Sequence, residues 1–201
     1  MVYIVDDDSS VRDAISNLLE SVGLRAQTFG STEEFLTTQR TESPSCLVLD
    51  VMLPGMRGLE FQEMLKKNSI SIPIIFITAH GDIPMTSKAM RAGAIEFLAK
   101  PFPKEDLLAA IHRGLQLDEA TRAQHAELTS LQSRFEQLSP REREVMDLVV
   151  TGIINKQIAG QLGISEVTVK IHRRQVMEKM NAESLADLVR MSDKLKFQIQ
   201  K

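Results

Sequence analysis

The sequence predicts an open α/β fold, a parallel sheet covered by helices on both faces, followed by a long helix and a small all-α module. Three observations carry this. Short apolar or β-rich runs alternate with helix-patterned stretches through residue 115, the rhythm of βαβ crossovers. Several of those runs are apolar at every position, as strands buried between two helical layers must be. From Lys104 to Gln137 there is no proline, the only glycine is Gly114, and apolar residues recur in steps of three and four.

The elements follow in order. Val2–Val5 is the first strand and runs straight into Asp6, Asp7 and Asp8. Asp8, Ser9 and Ser10 offer caps for a helix whose apolar face is Val11, Ala14, Ile15, Leu18 and Leu19. Leu24–Thr28 is a weaker strand, and Ser31-Thr32-Glu33-Glu34 opens the second helix. Cys46–Leu49 is the third strand and ends on Asp50. Leu59 to Leu65 is the third helix. Ile74–Ile77 is the fourth strand and ends on Thr78. Pro84 to Ala92 is the fourth helix, and Ile95–Leu98 is the fifth strand, followed by Lys100 and Pro101. Lys104 starts a fifth helix that runs on through a polar, Ala-rich middle, Asp118 to Glu127. Its later apolar positions, Leu128, Leu131, Phe135 and Leu138, suit either a solvated spacer or a parallel coiled-coil contact.

Ser139-Pro140-Arg141-Glu142 is a strong helix start, with an N-cap serine, proline at the first helical position and an acid in the first turn. Gly152 ends that helix. Asn155 to Leu162 forms another, Gly163 breaks it, and Ser165 caps the longest, Glu166 to Met180. Ala182 to Met191 closes the module.

The 201-residue chain carries a net charge of −3. Residues 139–201 nevertheless hold 11 Lys/Arg against 8 Asp/Glu, and residues 1–138 hold 13 against 19. A basic last third behind an acidic front points to two modules, the second suited to a polyanion. The single cysteine, Cys46, rules out an intrachain disulfide and reads as core packing. No apolar run approaches the ~18 residues of a membrane span, and Val2 already looks like a strand rather than a leader. The expectation is a soluble cytoplasmic protein with no membrane partner.

In an open parallel sheet, ligands collect at the carboxyl ends of the strands. Asp6, Asp7, Asp50, Thr78 and Lys100 all fall there. Clustered carboxylates suit a hard divalent cation with oxygen ligands, Mg²⁺ in the usual case, with Mn²⁺ or another divalent ion able to substitute. A lone lysine is a point charge for an anionic phosphoryl group, and a threonine hydroxyl can donate to one of its oxygens. The nucleophile of such a site is a carboxylate. Asp8 and Ser9 read as helix caps instead.

The stretches IVDDDSSVR, LVLDVMLPGMRGLE, IIFITAHGDIPM and AGAIEFLAKPF resemble the receiver domain of two-component response regulators, over residues 1–118. The resemblance implies a flavodoxin-like, doubly wound five-stranded sheet. It implies that Asp50 accepts a phosphoryl group from a sensor histidine kinase, with Asp6, Asp7, Asp50 and the Met52 carbonyl as Mg²⁺ ligands. Thr78 and Lys100 would contact the phosphoryl oxygens, and Lys100–Pro101 would be a cis peptide, a form open to X–Pro bonds. Phe97 stands where the family places its switch aromatic; as residues alone it serves equally as a core side chain. His80 would be a loop residue near the pocket, not a metal ligand. A dimer face would include Met85, Lys88, Ala89, Arg91, Glu105 and Asp106.

The segment LSPREREVMDLVVTGIINKQIAGQLGISEVTVKIHRRQVMEKM resembles the LuxR/FixJ-type helix-turn-helix, in a DNA-binding domain at 138–201 reached through a helical linker at 119–137. Independently, Val169, Val176 and Met180 share one helical face, and Lys170, Ile171 and Arg174 lie off it. An exposed isoleucine between two cations suits thymine methyl groups, and the cations suit guanine or phosphate. Lys156, Thr168, His172 and Arg173 are candidates for backbone contact, with His172 equally suited to packing. Ile154 stands where the family usually has Ser or Thr, which weakens the cap of the helix from Asn155. The last helix, Leu185 to Met191, resembles the family's dimerisation helix. Implied partners are the kinase, a two-fold duplex operator, a second copy of the chain on activation, and RNA polymerase. A hydrolytic aspartyl-phosphate enzyme would need a carboxylate two residues after Asp50, where this chain has Met52. A receiver that is never phosphorylated and serves only as a dimer scaffold is the other rival, and the full set of pocket residues argues against it.

Overall fold

The computed structural model describes residues 1–79 and 81–199; His80 lies outside them. They form two compact units, the first Met1–Arg122 and the second from Ala123 onward. Among the described residues, no helix is long and apolar enough to cross a membrane.

The first unit is built on β1 (Val2–Val5), β2 (Ala26–Phe29), β3 (Cys46–Asp50), β4 (Ile74–Thr78) and β5 (Glu96–Ala99). They pair in the order β2-β1-β3-β4-β5, all parallel. The three inner strands are buried at every position, and the edges carry the polar residues Gln27, Thr28 and Glu96. Strand alternation sends Tyr3, Leu47, Leu49 and Phe76 to one core and Val2, Ile4, Val48 and Ile77 to the other. The register sets Val5 beside Leu49, Asp50 beside Ile77 and Thr78 beside Ala99. Every strand therefore delivers its following residues to one rim.

The connecting helices are α1 (Ser9–Ser21), α2 (Thr32–Thr37), α3 (Gly58–Lys67) and α4 (Ile83–Arg91). Asp8 caps α1, its carboxylate accepting from the Ser10 amide at 2.8 Å. Asp82 caps α4 in the same way, accepting from Met85 at 2.7 Å. β2 begins at Ala26, not at Leu24 as the pattern suggested. The Leu24 amide donates back to Leu19 at 2.9 Å, so Leu24 belongs to the closure of α1.

The long helix α5 spans Lys104–Glu136. Within the first unit it crosses close over β3: a Cβ on Gly114 would lie 3.0 Å from that of Cys46. Cys46 itself is buried, and burial pushes its thiol up to about 12. One turn on, buried Asp118 accepts from the Ser45 amide at 2.8 Å and from Arg122 Nε at 2.6 Å. Arg122 also donates to the Glu42 carbonyl at 3.2 Å, so this part of α5 is latched to the entry of β3.

The second unit contains α6 (Pro140–Val149), α7 (Asn155–Leu162), α8 (Glu166–Met180) and α9 (Leu185–Ile199). Val145, Ile158, Val169, Val176, Met180 and Leu188 form its core, and Leu131 and Leu138 belong to the same cluster. Ser139 and Glu142 make a reciprocal capping box at α6. Buried Glu142 also accepts from Lys179 at 2.7 Å. Burial works to raise its pKa, but Lys179 and the Ser139 amide win and hold it below the usual carboxylate range. α9 starts at Leu185, later than Ala182, because Asn181 at φ 55° ends α8 and Ser184 caps the next turn through the Asp187 amide at 3.1 Å.

α7 starts on Ile154, which has no side-chain oxygen to cap with. Only the return half of a capping box is present, a 3.4 Å contact from the Ile154 amide to Gln157 Oε1. Ile154→Ser is expected to stabilise the second unit by about 1 kcal/mol, the usual worth of a side-chain N-cap. Urea denaturation of the two proteins checks this; an unchanged or lower midpoint would contradict it.

Candidate functional site

The rim at the strand ends gathers the expected residues. Asp6 is wholly buried after β1, and Asp50 at the end of β3 is 6% exposed. Ligand oxygens of Asp6, Asp7 and Asp50 lie within 4.8 Å of one another, Asp7 facing solvent. Lys100 Nζ donates to Asp6 Oδ2 and to Asp50 Oδ2, both at 2.6 Å. The second oxygens are engaged by backbone: Asp6 Oδ1 accepts from Asp8 at 2.9 Å and Asp50 Oδ1 from Met52 at 2.8 Å. Each buried carboxylate thus has its position fixed from two sides.

Burial pushes the Asp6 carboxyl above its ordinary range, outweighing the hydrogen bond from Lys100. For Lys100 burial acts downward, but its hydrogen bonds to Asp50 and Asp6 prevail and raise it. The cluster therefore keeps its lysine charged while crowding its acids. All-oxygen donors in this spacing fit a hard divalent cation rather than a soft one. Asp6, Asp7 and Asp50 would hold it, and Asp7 leaves the site open to water on one side.

Thr78, at the end of β4, is buried, and its carbonyl accepts from the Lys100 amide at 2.7 Å. The Lys100–Pro101 peptide is cis. Phe97 is half-buried, with its ring centroid 6.1 Å from that of Phe76.

Three supporting residues carry no role in the sequence reading. Arg12 Nη1 donates to the Asp6 and Asp7 carbonyls at 2.7 and 3.0 Å, stapling the acidic loop to α1. Its signal is an arginine one turn into the helix after the acids. Gly58 has no room for a side chain: a Cβ would sit 2.5 Å from the Asp50 carbonyl oxygen and 3.0 Å from Val51 Cα. At Gly81 a Cβ would sit 2.8 Å from the Phe97 ring and 3.2 Å from Thr78 Cγ2. The two glycines report close approaches between separate elements, which no periodic pattern displays.

On α4 and α5, Lys88, Arg91, Glu105 and Asp106 are exposed and Met85 is half-buried. Lys88 pairs with Glu63 at 3.3 Å. Ala89 corrects the expected surface: it is completely buried on the inner side of α4.

In the second unit, the α7–turn–α8 pair has Gly163 in the left-handed region at its joint. Val169, Val176 and Met180 are buried, while Lys170, Ile171 and Arg174 are exposed. Arg174 Nε donates to Glu178 at 2.7 Å across open surface. Lys156 is exposed at the start of α7, and Arg173 donates to Asn155 Oδ1 at 2.6 Å. The Thr168 hydroxyl lies 2.8 Å from that of Ser165. His172 is half-buried, with Nδ1 enclosed and no hydrogen-bond partner among the described residues, in keeping with packing.

Comparison with known proteins adds independent findings. Residues 2–112 match the family model of the response regulator receiver domain, and residues 136–192 that of bacterial regulatory proteins of the luxR family. The chain is 52% identical over 195 residues to Nodulation protein W of Bradyrhizobium diazoefficiens, covering 97% of this chain and 86% of that one. It is 45% identical over 196 residues to Response regulator protein TodT of Pseudomonas putida, covering 98% and 86%. Among solved structures, the response regulator StyR superposes with a TM-score of 0.88 at 52% identity, covering 96% of this chain and 98% of that one. Full-length FixJ from B. japonicum gives 0.58 at 37%, covering 98% and 97%.

Proposed function

The chain belongs to the response regulators that join a receiver domain to a luxR-family DNA-binding domain, and on that premise we propose how its residues act. It is a DNA-binding regulator of transcription, and a receiver domain implies a histidine kinase as its phosphoryl donor. In our reading the receiver is residues 1–118, the linker 119–137 and the DNA-binding domain 138–201.

Asp50 is the phosphoacceptor. One of its carboxylate oxygens forms the new O–P bond as the P–N bond of the donor phosphohistidine breaks. Asp6, Asp7, Asp50 and the Met52 carbonyl would hold a Mg²⁺ ion, which would supply positive charge beside the phosphoryl group. Lys100 holds Asp50 before transfer and turns its ammonium to a phosphoryl oxygen after it. Thr78 donates its hydroxyl to another oxygen. The observation that carries this reading is Lys100 bridging Asp6 and Asp50 at equal 2.6 Å distances, a cation already seated where negative charge will grow.

Phosphorylation biases a two-state element. Thr78 shifts toward the new phosphoryl group, and Phe97, packed over Gly81, repacks with it. The face of α4, β5 and α5, including Met85, Lys88, Arg91, Glu105 and Asp106, then dimerises. Two copies of α8 meet a two-fold duplex operator, each with its amino-terminal half toward the bases. Lys170, Ile171 and Arg174 read base edges, and Lys156 meets phosphate, with Thr168, Arg173 and His172 in support. RNA polymerase is the downstream partner, and the location is cytoplasmic.

Incubation with acetyl phosphate and Mg²⁺ tests the first half. The intact mass is expected to rise by one phosphoryl group, and Asp50→Ala to abolish the rise; no adduct on the wild-type chain would sink the reading. For the second half, affinity for a selected duplex is expected to fall steeply with salt and to drop about tenfold or more in Arg174→Ala. Salt-independent binding would contradict it.

A further inference from the structure

The outward face of α8 carries more apolar surface than the reading above uses. Val169, Val176 and Met180 point into the core of the second unit. At about 100° per residue, the opposite direction falls on Ile171, Val167 and Arg174. Val167 is 66% exposed and Ile171 53%. Four residues apart on one helix, they are neighbours on a single stripe. Val167 has no role so far, and an exposed β-branched residue gives no helix-propensity gain.

The surroundings identify what such a stripe meets. Lys170 and Arg174 run along one side of it, so the face attracts a polyanion. The stripe itself cannot pair with phosphate, and Glu166 immediately before Val167 would be repelled by one. This end of α8 is therefore suited to lie over bases, between the phosphate strands. The apolar group that bases present in the major groove is the thymine methyl.

We infer that Val167 and Ile171 together form a two-position thymine reader, each side chain covering one methyl group. Four residues of helix advance about 6 Å, close to two base-pair rises of about 3.4 Å. The two thymines therefore lie about two base pairs apart in each half-site. This rests on α8 being the DNA-reading helix and adds Val167 to the residues that set sequence preference.

The test uses the whole 201-residue chain and a duplex that it selects from a random pool. Each thymine of that duplex is replaced in turn by deoxyuridine, which removes the methyl group alone. Two positions per half-site, about two base pairs apart, are expected to lose about fourfold in affinity, the worth of one buried methyl-sized group. Val167→Ser removes the penalty at one of them and Ile171→Ser at the other, with the salt dependence of binding unchanged. Val167→Thr, which keeps one methyl, retains part of the discrimination, and this guards against a folding defect in the serine variant. Equal loss of binding by Val167→Ser on thymine and deoxyuridine duplexes overturns the inference and leaves the DNA-binding reading standing. Failure to select any DNA, with no salt-dependent binding, overturns both.

Discussion

Replacing Lys100 with alanine is expected to cost the first unit about 3 kcal/mol of stability at neutral pH and to slow phosphorylation of Asp50 by roughly two orders of magnitude. The stability loss comes from what remains. Asp6 is wholly buried and Asp50 nearly so, and Lys100 donates to both. Without it, two crowded carboxylates lose their counterion and Asp6 is pressed to bind a proton. Its folded-state pKa, already raised by burial, rises further above the unfolded value. A carboxyl raised in this way stabilises least when it must be charged, so the deficit is greatest above the folded pKa. It shrinks as the pH falls toward the unfolded value of about 3.9. Added Mg²⁺ should restore more stability to the variant than to the wild type, because it replaces a missing cation. Urea denaturation at pH 7.5 and 5, with and without Mg²⁺, and the rate of mass gain in acetyl phosphate provide the measurements. A variant that matches the wild type in midpoint and rate would show that Lys100 is an ordinary surface lysine.

Gly58→Ala is the second large effect. Its Cβ would lie 2.5 Å from the carbonyl oxygen of Asp50 and 3.0 Å from Val51 Cα, with the Phe76 ring at 3.2 Å. Two of these atoms are backbone and cannot rotate aside. The amino terminus of α3 must draw back, loosening the 3.0 Å bond from the Gly58 amide to the Val51 carbonyl. Overpacking of this kind costs about 1–3 kcal/mol, and a misplacement near 1 Å costs about a hundredfold in rate. The variant is expected to melt lower and, at a temperature where it is still folded, to gain phosphoryl mass about a hundred times more slowly. Wild-type kinetics in a folded variant would show that α3 accommodates the methyl group without moving Asp50.

The two substitutions differ in how visible their targets were. Asp6, Asp7 and Asp50 announce themselves because the strands before them are apolar up to the acids, which fixes where each strand stops and hence what stands at the rim, whereas Lys100 follows an edge strand that carries Glu96 and is placed by its order along the chain. The helices of the second unit were legible for a related reason. Ser139, Gly163 and Ser165 are capping and breaking residues whose local chemistry acts over a few positions. Gly58 and Gly81 were silent, because what a missing side chain makes room for is set by how the chain folds back on other elements, the end of β3 for the one and the Phe97 ring for the other. The latch of Asp118 onto Ser45 was silent too, spanning 73 residues. Leu24 misled because a helix closure and a strand start both call for an apolar residue after a glycine. Ala89 misled because membership of α4 does not say which side of α4 a residue occupies; its burial decides that.

The burial of Cys46 has a practical side. A thiolate is the species that reacts with maleimides and iodoacetamides. With its thiol pushed up to about 12 and enclosed beneath α5, the chain is expected to behave toward such reagents as though it had no cysteine. A single cysteine introduced on an exposed position of α4 or α8 would then be the one site to take a fluorophore or spin label, in the otherwise unaltered sequence. Distances within a phosphorylated or DNA-bound assembly become measurable without first rebuilding the core of the sheet.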